Sequence, residues 1–124
     1  MRQISAQEGR IKITMQALML GDDLFVAVSG GDGPHIGAVT MSIPRASMSG
    51  PGRSASTSVM TMPGHKDDEA ARMISHILSS KLYKNVVVVC GIHVDGITAA
   101  EINTVMNMLG KLTERLIRKQ LQTL

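Results

Sequence analysis

The apolar and polar residues in the first half of the chain follow patterns that predict four β-strands. Apolar side chains occupy every second position between residues 11 and 20, at Ile11, Ile13, Met15, Ala17 and Met19. That spacing is the period of a strand with one buried face. Compact apolar runs over 24–29 and 36–43 predict two further strands, and a weaker alternation over 57–62 predicts a fourth. Turn residues separate these segments, so we expect the strands to form an antiparallel meander.

The second half of the chain changes to a helical period. Between residues 66 and 82 apolar side chains recur at three- and four-residue spacing behind an acidic first turn, which predicts an amphipathic helix. The all-apolar run over 86–92 is typical of a strand buried on both faces. Thr98 and Glu101 have the spacing of a capping box, which would start a long second helix. The predicted fold is therefore α+β, a mixed and mostly antiparallel sheet of about five strands in the order ββββαβα, packed with two helices.

Two segments carry no such pattern. Residues 1–9 are expected to be loosely ordered, and residues 44–56, rich in Pro, Gly and Ser, predict a mobile loop that could hold a functional or partner-bound role. The length of 124 residues fits a single domain spanning 1–124.

Composition narrows the classes of function. The net charge is only +3, and the chain has one Phe, one Tyr and no Trp. The sequence therefore lacks the dense basic face and the stacking aromatic residues that are typical of nucleic-acid-binding proteins. The N-terminus lacks the apolar core of a signal peptide, and no run is long enough to span a membrane. Cys90 has no second cysteine to pair with. We therefore expect a soluble, cytoplasmic protein that binds neither nucleic acid nor a membrane.

Three motifs place a histidine beside glycine. They are residues 30–37 with His35, residues 63–66 with His65, and residues 91–96 with His93. In the predicted topology all three lie at one edge of the sheet, which we call the rim, and both helices begin there. Helix N-termini attract phosphate or carboxylate groups, and Lys66 adds a positive charge. The rim therefore predicts a site for an anion-bearing ligand.

Other interpretations of these residues stay open at this point. The glycines of 30–37 could form a tight hairpin, and Thr98 with Glu101 could be no more than a helix cap. His35 or His93 could act as a general acid or base, or His93 and Asp95 could form only a local hydrogen bond. Three histidines also suggest zinc, but no His-x-x-x-His or Cys-x-x-Cys pair fixes two ligands on one element, so no metal ligand is assigned.

Taken together, the motifs resemble those of a known family. The stretches that carry the resemblance are Val28-Ser29-Gly30-Gly31, His35-Ile36-Gly37-Ala38-Val39, Pro63-Gly64-His65-Lys66-Asp67, Gly91-Ile92-His93-Val94-Asp95 and Thr98-Ala99-Ala100-Glu101-Ile102. They resemble the small prenylated-flavin chaperones, LpdD-like accessory subunits of the reversible, non-oxidative aromatic-acid decarboxylases. The resemblance covers about residues 20–117. The family is similar in fold to the small dimeric proteasome-assembly chaperones, which implies a homodimer.

The resemblance implies a cofactor carrier rather than an enzyme. Such a protein holds reduced prenylated FMN, with FMN as an alternative cargo, and helps deliver it to an apo-decarboxylase of the hydroxybenzoate or gallate type. The implied partners are that decarboxylase and, as a further candidate, the flavin prenyltransferase. No catalytic residue is implied. The candidate cofactor-binding residues are Ser29, Gly30, Gly31, His35, Gly37, Pro63, Gly64, His65, Lys66, Gly91, His93 and Asp95.

Two rival hypotheses are kept beside the carrier. One is a small enzyme that uses the same histidines for acid/base or metal chemistry. The other is a ligand-free subunit that stabilises a decarboxylase, through the segment from Arg45 to Arg53. The chain offers no aromatic residue at the rim to stack on a flavin, so aliphatic and methionine contacts would have to cover the ring.

Overall fold

The computed structural model describes residues 1–62 and 67–122, which form a six-stranded sheet with two helices on one of its faces. The strands are β1 (Arg2–Glu8), β2 (Ile11–Leu20), β3 (Asp23–Gly31), β4 (Ala38–Ala46), β5 (Arg53–Thr61) and β6 (Val86–His93). The helices are α1 (Asp68–Leu82) and α2 (Ala99–Gln122). The predicted α+β class, with a mixed sheet and two helices, is confirmed.

The order of strands across the sheet differs from the predicted meander. The order is β1-β2-β3-β6-β4-β5, so β6 is inserted between β3 and β4, parallel to the first and antiparallel to the second. The prediction that the first four predicted strands pair in chain order is therefore wrong. Helix α1 carries the chain from β5 over β4, which allows the late and most apolar strand to take a central place.

Two segments predicted to lack regular structure extend the sheet. Residues 2–8 form the edge strand β1 rather than a loosely ordered segment, and this strand is the one that the five-strand prediction omitted. Ile4 of β1 is buried opposite Met15, which accounts for the pairing. The predicted loop over 44–56 is shorter, because β4 and β5 pair as a hairpin from Ala38 to Thr61 and leave only residues 47–52 as its connection.

The core lies between the helices and one face of the sheet. The predicted alternation on β2 is confirmed for its first four apolar positions, which are buried, while Met19 near the strand end is exposed. The opposite face of the sheet carries the alternate residues, and there Val87 and Val89 of β6 keep some exposure. The prediction that this strand is buried on both faces is therefore wrong within the single chain. The helix side of the core is closed by Ile74 and Leu78 of α1 and Leu109, Leu112 and Leu116 of α2.

Buried hydroxyl groups fix α1 on the sheet. Thr40 Oγ1 of β4 lies 3.1 Å from the carbonyl oxygen of Ala71 and 2.9 Å from Ser75 Oγ, and Ser42 Oγ donates to Ser75 Oγ at 2.8 Å. Such buried polar groups stabilise a structure only in the arrangement that pairs them. The network thereby sets the position of the α1 N-terminus at the rim.

The predicted capping box at the start of α2 is confirmed. The Glu101 N–H donates to Thr98 Oγ1 at 3.1 Å, and the Thr98 N–H donates to Glu101 Oε1 at 3.2 Å. Neither helix of the described residues is long and apolar enough to cross a membrane.

Candidate functional site

The connection between β3 and β4 crosses over the end of β6 instead of forming a hairpin. The Asp32 N–H donates to the carbonyl oxygen of His93 at 2.6 Å, and the Gly37 N–H donates to that of Cys90 at 3.0 Å. The chain leaving β5 joins this crossing, because the Met62 N–H donates to the carbonyl oxygen of Gly37 at 2.9 Å. The hairpin interpretation of residues 30–37 is therefore wrong, and the rim is one connected piece of backbone.

Two glycines make the crossing possible. A Cβ at Gly91 would collide with the carbonyl oxygen of His35, and a Cβ at Gly37 would collide with the carboxylate of Asp67. A side chain at either position would push the crossing segment away from β6. Gly91 therefore lets the backbone of His35 pack against β6, and Gly37 lets the carboxylate of Asp67 pack against the crossing segment.

The crossing segment presents His35 to the start of α1. Its Nδ1 lies 2.8 Å from the carbonyl oxygen of Gly33, and its Nε2 lies 3.2 Å from Asp67 Oδ2. The other carboxylate oxygen of Asp67 accepts the Ile92 N–H at 3.0 Å. The Asp67 side chain is only 10% exposed and makes no capping bond to its own helix, so its carboxylate joins α1, β6 and His35.

His93, the last residue of β6, forms a second and more exposed pair. Its Nε2 lies 2.8 Å from Asp95 Oδ1, and the Asp95 N–H donates to Asp32 Oδ2 at 2.9 Å. The local hydrogen bond predicted for His93 and Asp95 is present. Asp32 connects this pair to the crossing segment, so both His35 and His93 are held by carboxylates.

A cleft of about 430 Å³ opens between the start of α1, the end of β6 and the first half of α2. Its polar end holds His35, Asp67, Glu69 and His93. The remainder of the wall is aliphatic or thioether, with two of the residues well exposed, and consists of Ala70, Ile92, Val94, Ile97, Ile102, Val105 and Met106. The volume lies within the range of small-molecule sites, which are commonly apolar with a few polar groups. The cleft is therefore the candidate binding site.

An ion pair braces the loop that leads from β6 into α2. Arg10 contacts Glu101 through Nε at 2.9 Å and Nη2 at 3.0 Å, and Nη2 also donates to the carbonyl oxygen of Asp95 at 2.7 Å. Hydrogen bonds from Arg10 and then from the Thr98 backbone lower the pKa of Glu101 from 4.5 to about 2. The same pairing raises the pKa of Arg10. The ion pair between Arg10 and Glu101 thereby fixes the loop and helix start that carry Ile97 and Ile102 at the mouth of the cleft.

We expect Glu101→Gln to lower the thermal unfolding midpoint at neutral pH, because glutamine keeps the capping geometry but loses the charge that pairs with Arg10. A carboxylate whose folded pKa is lowered contributes its stability fully above about 4.5 and loses it as the pH falls towards about 2. The gap between wild type and variant should therefore close across that interval. Thermal melts from pH 7 to pH 2 measure it, with the exposed Glu114→Gln on α2 as control. A gap that is constant with pH would contradict the prediction.

Comparison with known proteins identifies the family. A model of the prenylated flavin chaperone LpdD-like domain matches residues 7–121. The chain belongs to this family. No curated protein matches the sequence. In fold the chain is similar to a chain of a yeast chaperone complex for 20S proteasome assembly, with a TM-score of 0.51, 16% identity, and coverage of 98% of this chain and 93% of that one. The resemblances drawn from the motifs are thus confirmed for both family and fold.

The structure of this LpdD-like chain brings together some of the candidate cofactor-binding residues. His35 and His93 line the cleft, and Asp95 adjoins it through His93. Ser29 lies on the opposite face of the sheet, beside Phe25 and Ala27. Protein atoms lie against the positions where side chains would extend from Gly30, Gly31, Gly37 and Gly91. Pro63, Gly64, His65 and Lys66 lie outside the described residues.

The carboxylate of Asp67 and the apolar wall of the cleft were not predicted from the sequence. Asp67 ends one of the stretches that carry the family resemblance, directly after a histidine motif, but it is not among the candidate cofactor-binding residues. Ile102 and Val105 of α2 also line the cleft near the start of that helix, and neither is among the candidate cofactor-binding residues. The sequence does hold one indication of the apolar wall, because Ile97 and Ile102 are large apolar residues on either side of the helix cap at Thr98.

The described charges at the rim do not match the predicted anion site. Asp32, Asp67, Glu69 and Asp95 are all carboxylates, and the first turn of α1 is acidic. Negative charge at a helix N-terminus opposes the approach of a phosphate. Lys66, which supplies the positive charge of the predicted site, lies outside the described residues.

The structure also describes the residues on which the metal hypothesis and the partner-binding hypothesis for the segment from Arg45 to Arg53 depend. Among residues 1–62 and 67–122, no group of three or more His, Cys, Asp or Glu side chains is placed to hold a metal ion. Arg45 donates to Ser56 Oγ at 2.9 Å and to the carbonyl oxygen of Ala46 at 3.1 Å. Arg53 stacks 4.7 Å above the ring centroid of Tyr83. Both arginines thus contact the chain's own β-hairpin or helix end.

Proposed function

We propose that this protein holds reduced prenylated FMN in the cleft between α1 and α2 and helps deliver it to an apo aromatic-acid decarboxylase. Membership of the prenylated flavin chaperone family supports the cargo. The observation that carries the proposal is an apolar cleft of about 430 Å³ with two histidines and two carboxylates at one end. The apolar wall would cover the fused ring system, and the polar end would meet the donors and acceptors of its pyrimidine edge.

The composition of the cleft suits a carrier that releases its cargo. Aliphatic and thioether groups cover an aromatic ring without the added stacking that a Trp or Tyr would supply. The wall formed by Ile97, Ile102 and Met106 therefore favours moderate affinity and ready transfer. The candidate roles of Pro63, Gly64, His65 and Lys66, including a phosphate contact, are part of this proposal.

The partners follow from the same hypothesis. The flavin prenyltransferase would supply the cargo, the decarboxylase would receive it, and the chaperone itself would not catalyse decarboxylation. We also propose that the protein acts as a homodimer in the cytoplasm.

An acid/base enzyme is the second candidate, favoured by the two histidine–carboxylate pairs. A histidine oriented by a carboxylate is the usual arrangement of a general base. Both ring nitrogens of His35 already face protein acceptors, the carbonyl oxygen of Gly33 and the carboxylate of Asp67. His93, whose side chain is more than half exposed, is then the better candidate for such chemistry.

Anaerobic mixing of the purified protein with reduced prenylated FMN tests the proposal. We expect flavin absorbance to elute with the protein on gel filtration, and the loaded protein to activate an apo-decarboxylase faster than free cofactor does. Stimulation of the decarboxylase without flavin binding would instead support the ligand-free subunit. Conversion of an aromatic acid by this chain alone would support the enzyme, and the absence of all three effects would overturn the carrier.

A further inference from the structure

The middle of the sheet face opposite the helices is apolar although no described element covers it, and polar residues such as Gln16 of β2 and Ser58 of β5 continue it toward the two edges. One row across the strands joins Leu18, Phe25, Val87 and Met41, each directly opposite the next. A parallel row joins Ala27, Val89, Val39 and Met60. Neither row, both of which lie wholly within the described residues, contains a charged side chain.

Such a face differs from what is expected of a sheet exposed to water. Sheets with one solvated face normally alternate apolar and polar residues, so that the outer face is polar. Here Met41 is 43% exposed and Met60 is 75% exposed, with Ile43 half exposed beside them. Contiguous exposed apolar surface of this kind marks an interaction site.

We propose that this face packs against the same face of a second copy of the chain, which assigns the interface of the proposed homodimer. Six strands about 4.8 Å apart and about 26 Å long present roughly 750 Å². That area matches the ~800 Å² that each partner buries in a stable interface of standard size. The absence of charge in both rows removes the electrostatic complementarity that a charged partner would require.

A two-fold arrangement also accounts for the apolar pattern of β6. The strands β3 and β6 are the middle pair of the sheet, so a two-fold axis through the centre of the face would pass near Val87 and Val89. Two sheets stacked about 10 Å apart would bury both valines between them. The strand would then be buried on both faces, as its all-apolar sequence indicates.

Sedimentation velocity of the unliganded protein tests the interface without reference to the flavin. We expect wild type to sediment at twice the chain mass of 13.3 kDa, and Met41→Lys to shift to monomer, because an unpaired ammonium buried in the sandwich raises the dissociation constant on the order of 100-fold. The matched control is Met48→Lys, whose side chain is 88% exposed in the connection between β4 and β5. A monomeric wild type, or a folded Met41→Lys that stays dimeric, would overturn the proposal.

Cross-linking provides a second measurement that does not depend on weakening the dimer. A short bismaleimide linker should join Val87→Cys to its own copy across the roughly 10 Å between the two sheets, a gap too wide for a direct disulfide, while Met48→Cys should not be joined. Cys90 does not compete, because it is fully buried on the helix side and burial raises the pKa of its thiol to about 12. Failure of Val87→Cys to cross-link in a protein that sediments as a dimer would place the interface elsewhere.

Discussion

Replacement of Gly91 by alanine is expected to destabilise the protein by about 3 kcal/mol, at the upper end of the usual cost of overpacking a rigid site. The added Cβ would collide with the carbonyl oxygen of His35, which is backbone and cannot rotate away. Relief requires the crossing segment to lift from β6, with loss of the hydrogen bond from the Gly37 N–H to the carbonyl oxygen of Cys90. Equilibrium urea unfolding followed by circular dichroism measures the effect.

Gly110→Ala is the matched control for that substitution. Gly110 lies inside α2, and a Cβ built there meets nothing within 4 Å beyond its chain neighbours and the backbone of its own helix. Alanine is favoured over glycine in a helix interior by roughly 1 kcal/mol, so the same chemical change should stabilise the protein. Equal unfolding free energies for wild type and Gly91→Ala would show that the crossing segment is not held tightly against β6.

Local patterns in the sequence predicted most helices and strands but not their arrangement. The alternation on β2 and the capping box of Thr98 and Glu101 are decided by neighbouring residues, and the structure confirms both. The place of β6 between β3 and β4 depends on contacts made after α1 has crossed the sheet. No local pattern encodes that choice, because an apolar strand can pair with any open edge.

The missed strand β1 shows a second limit of local patterns. Its apolar residues are few, and only Ile4 is buried, so the segment carries little of the alternation that identifies a strand. The pairing with β2 supplies its stability. An edge strand of this kind is predicted poorly because its partner, rather than its own sequence, determines its structure.

The candidate site was predicted in location but only partly in chemistry. His35 and His93 do meet at one rim, because β3 and β6 run parallel and end together. The glycines around them were candidate cofactor-binding residues, whereas the space at Gly37 and Gly91 is taken by Asp67 and the crossing backbone. The contact from Asp67 to the Ile92 N–H joins residues 25 positions apart, and such long-range pairs leave no periodic signal in the sequence.

Ile102→Asp is expected to weaken the binding of reduced prenylated FMN at least about tenfold, equivalent to about 1.4 kcal/mol, if the cleft holds the cofactor as proposed. Ile102 lines the apolar wall and is 50% exposed without ligand, so the substitution should leave the fold intact. With cofactor bound, the new carboxylate would face the fused ring and lose part of its hydration. Anaerobic titration of the cofactor absorbance gives the dissociation constant.

Asn103→Asp separates the effect of the wall from that of added charge. Asn103 is the neighbouring residue on α2, is exposed, and does not line the cleft, yet the substitution adds the same negative charge at the same distance from the helix start. We expect its dissociation constant to stay within about twofold of wild type, since an exposed charge near the site is screened by salt. Equal weakening by both substitutions would mean that charge, rather than apolar contact with Ile102, controls binding. No weakening by Ile102→Asp, with cofactor still bound, would place the cofactor outside this cleft.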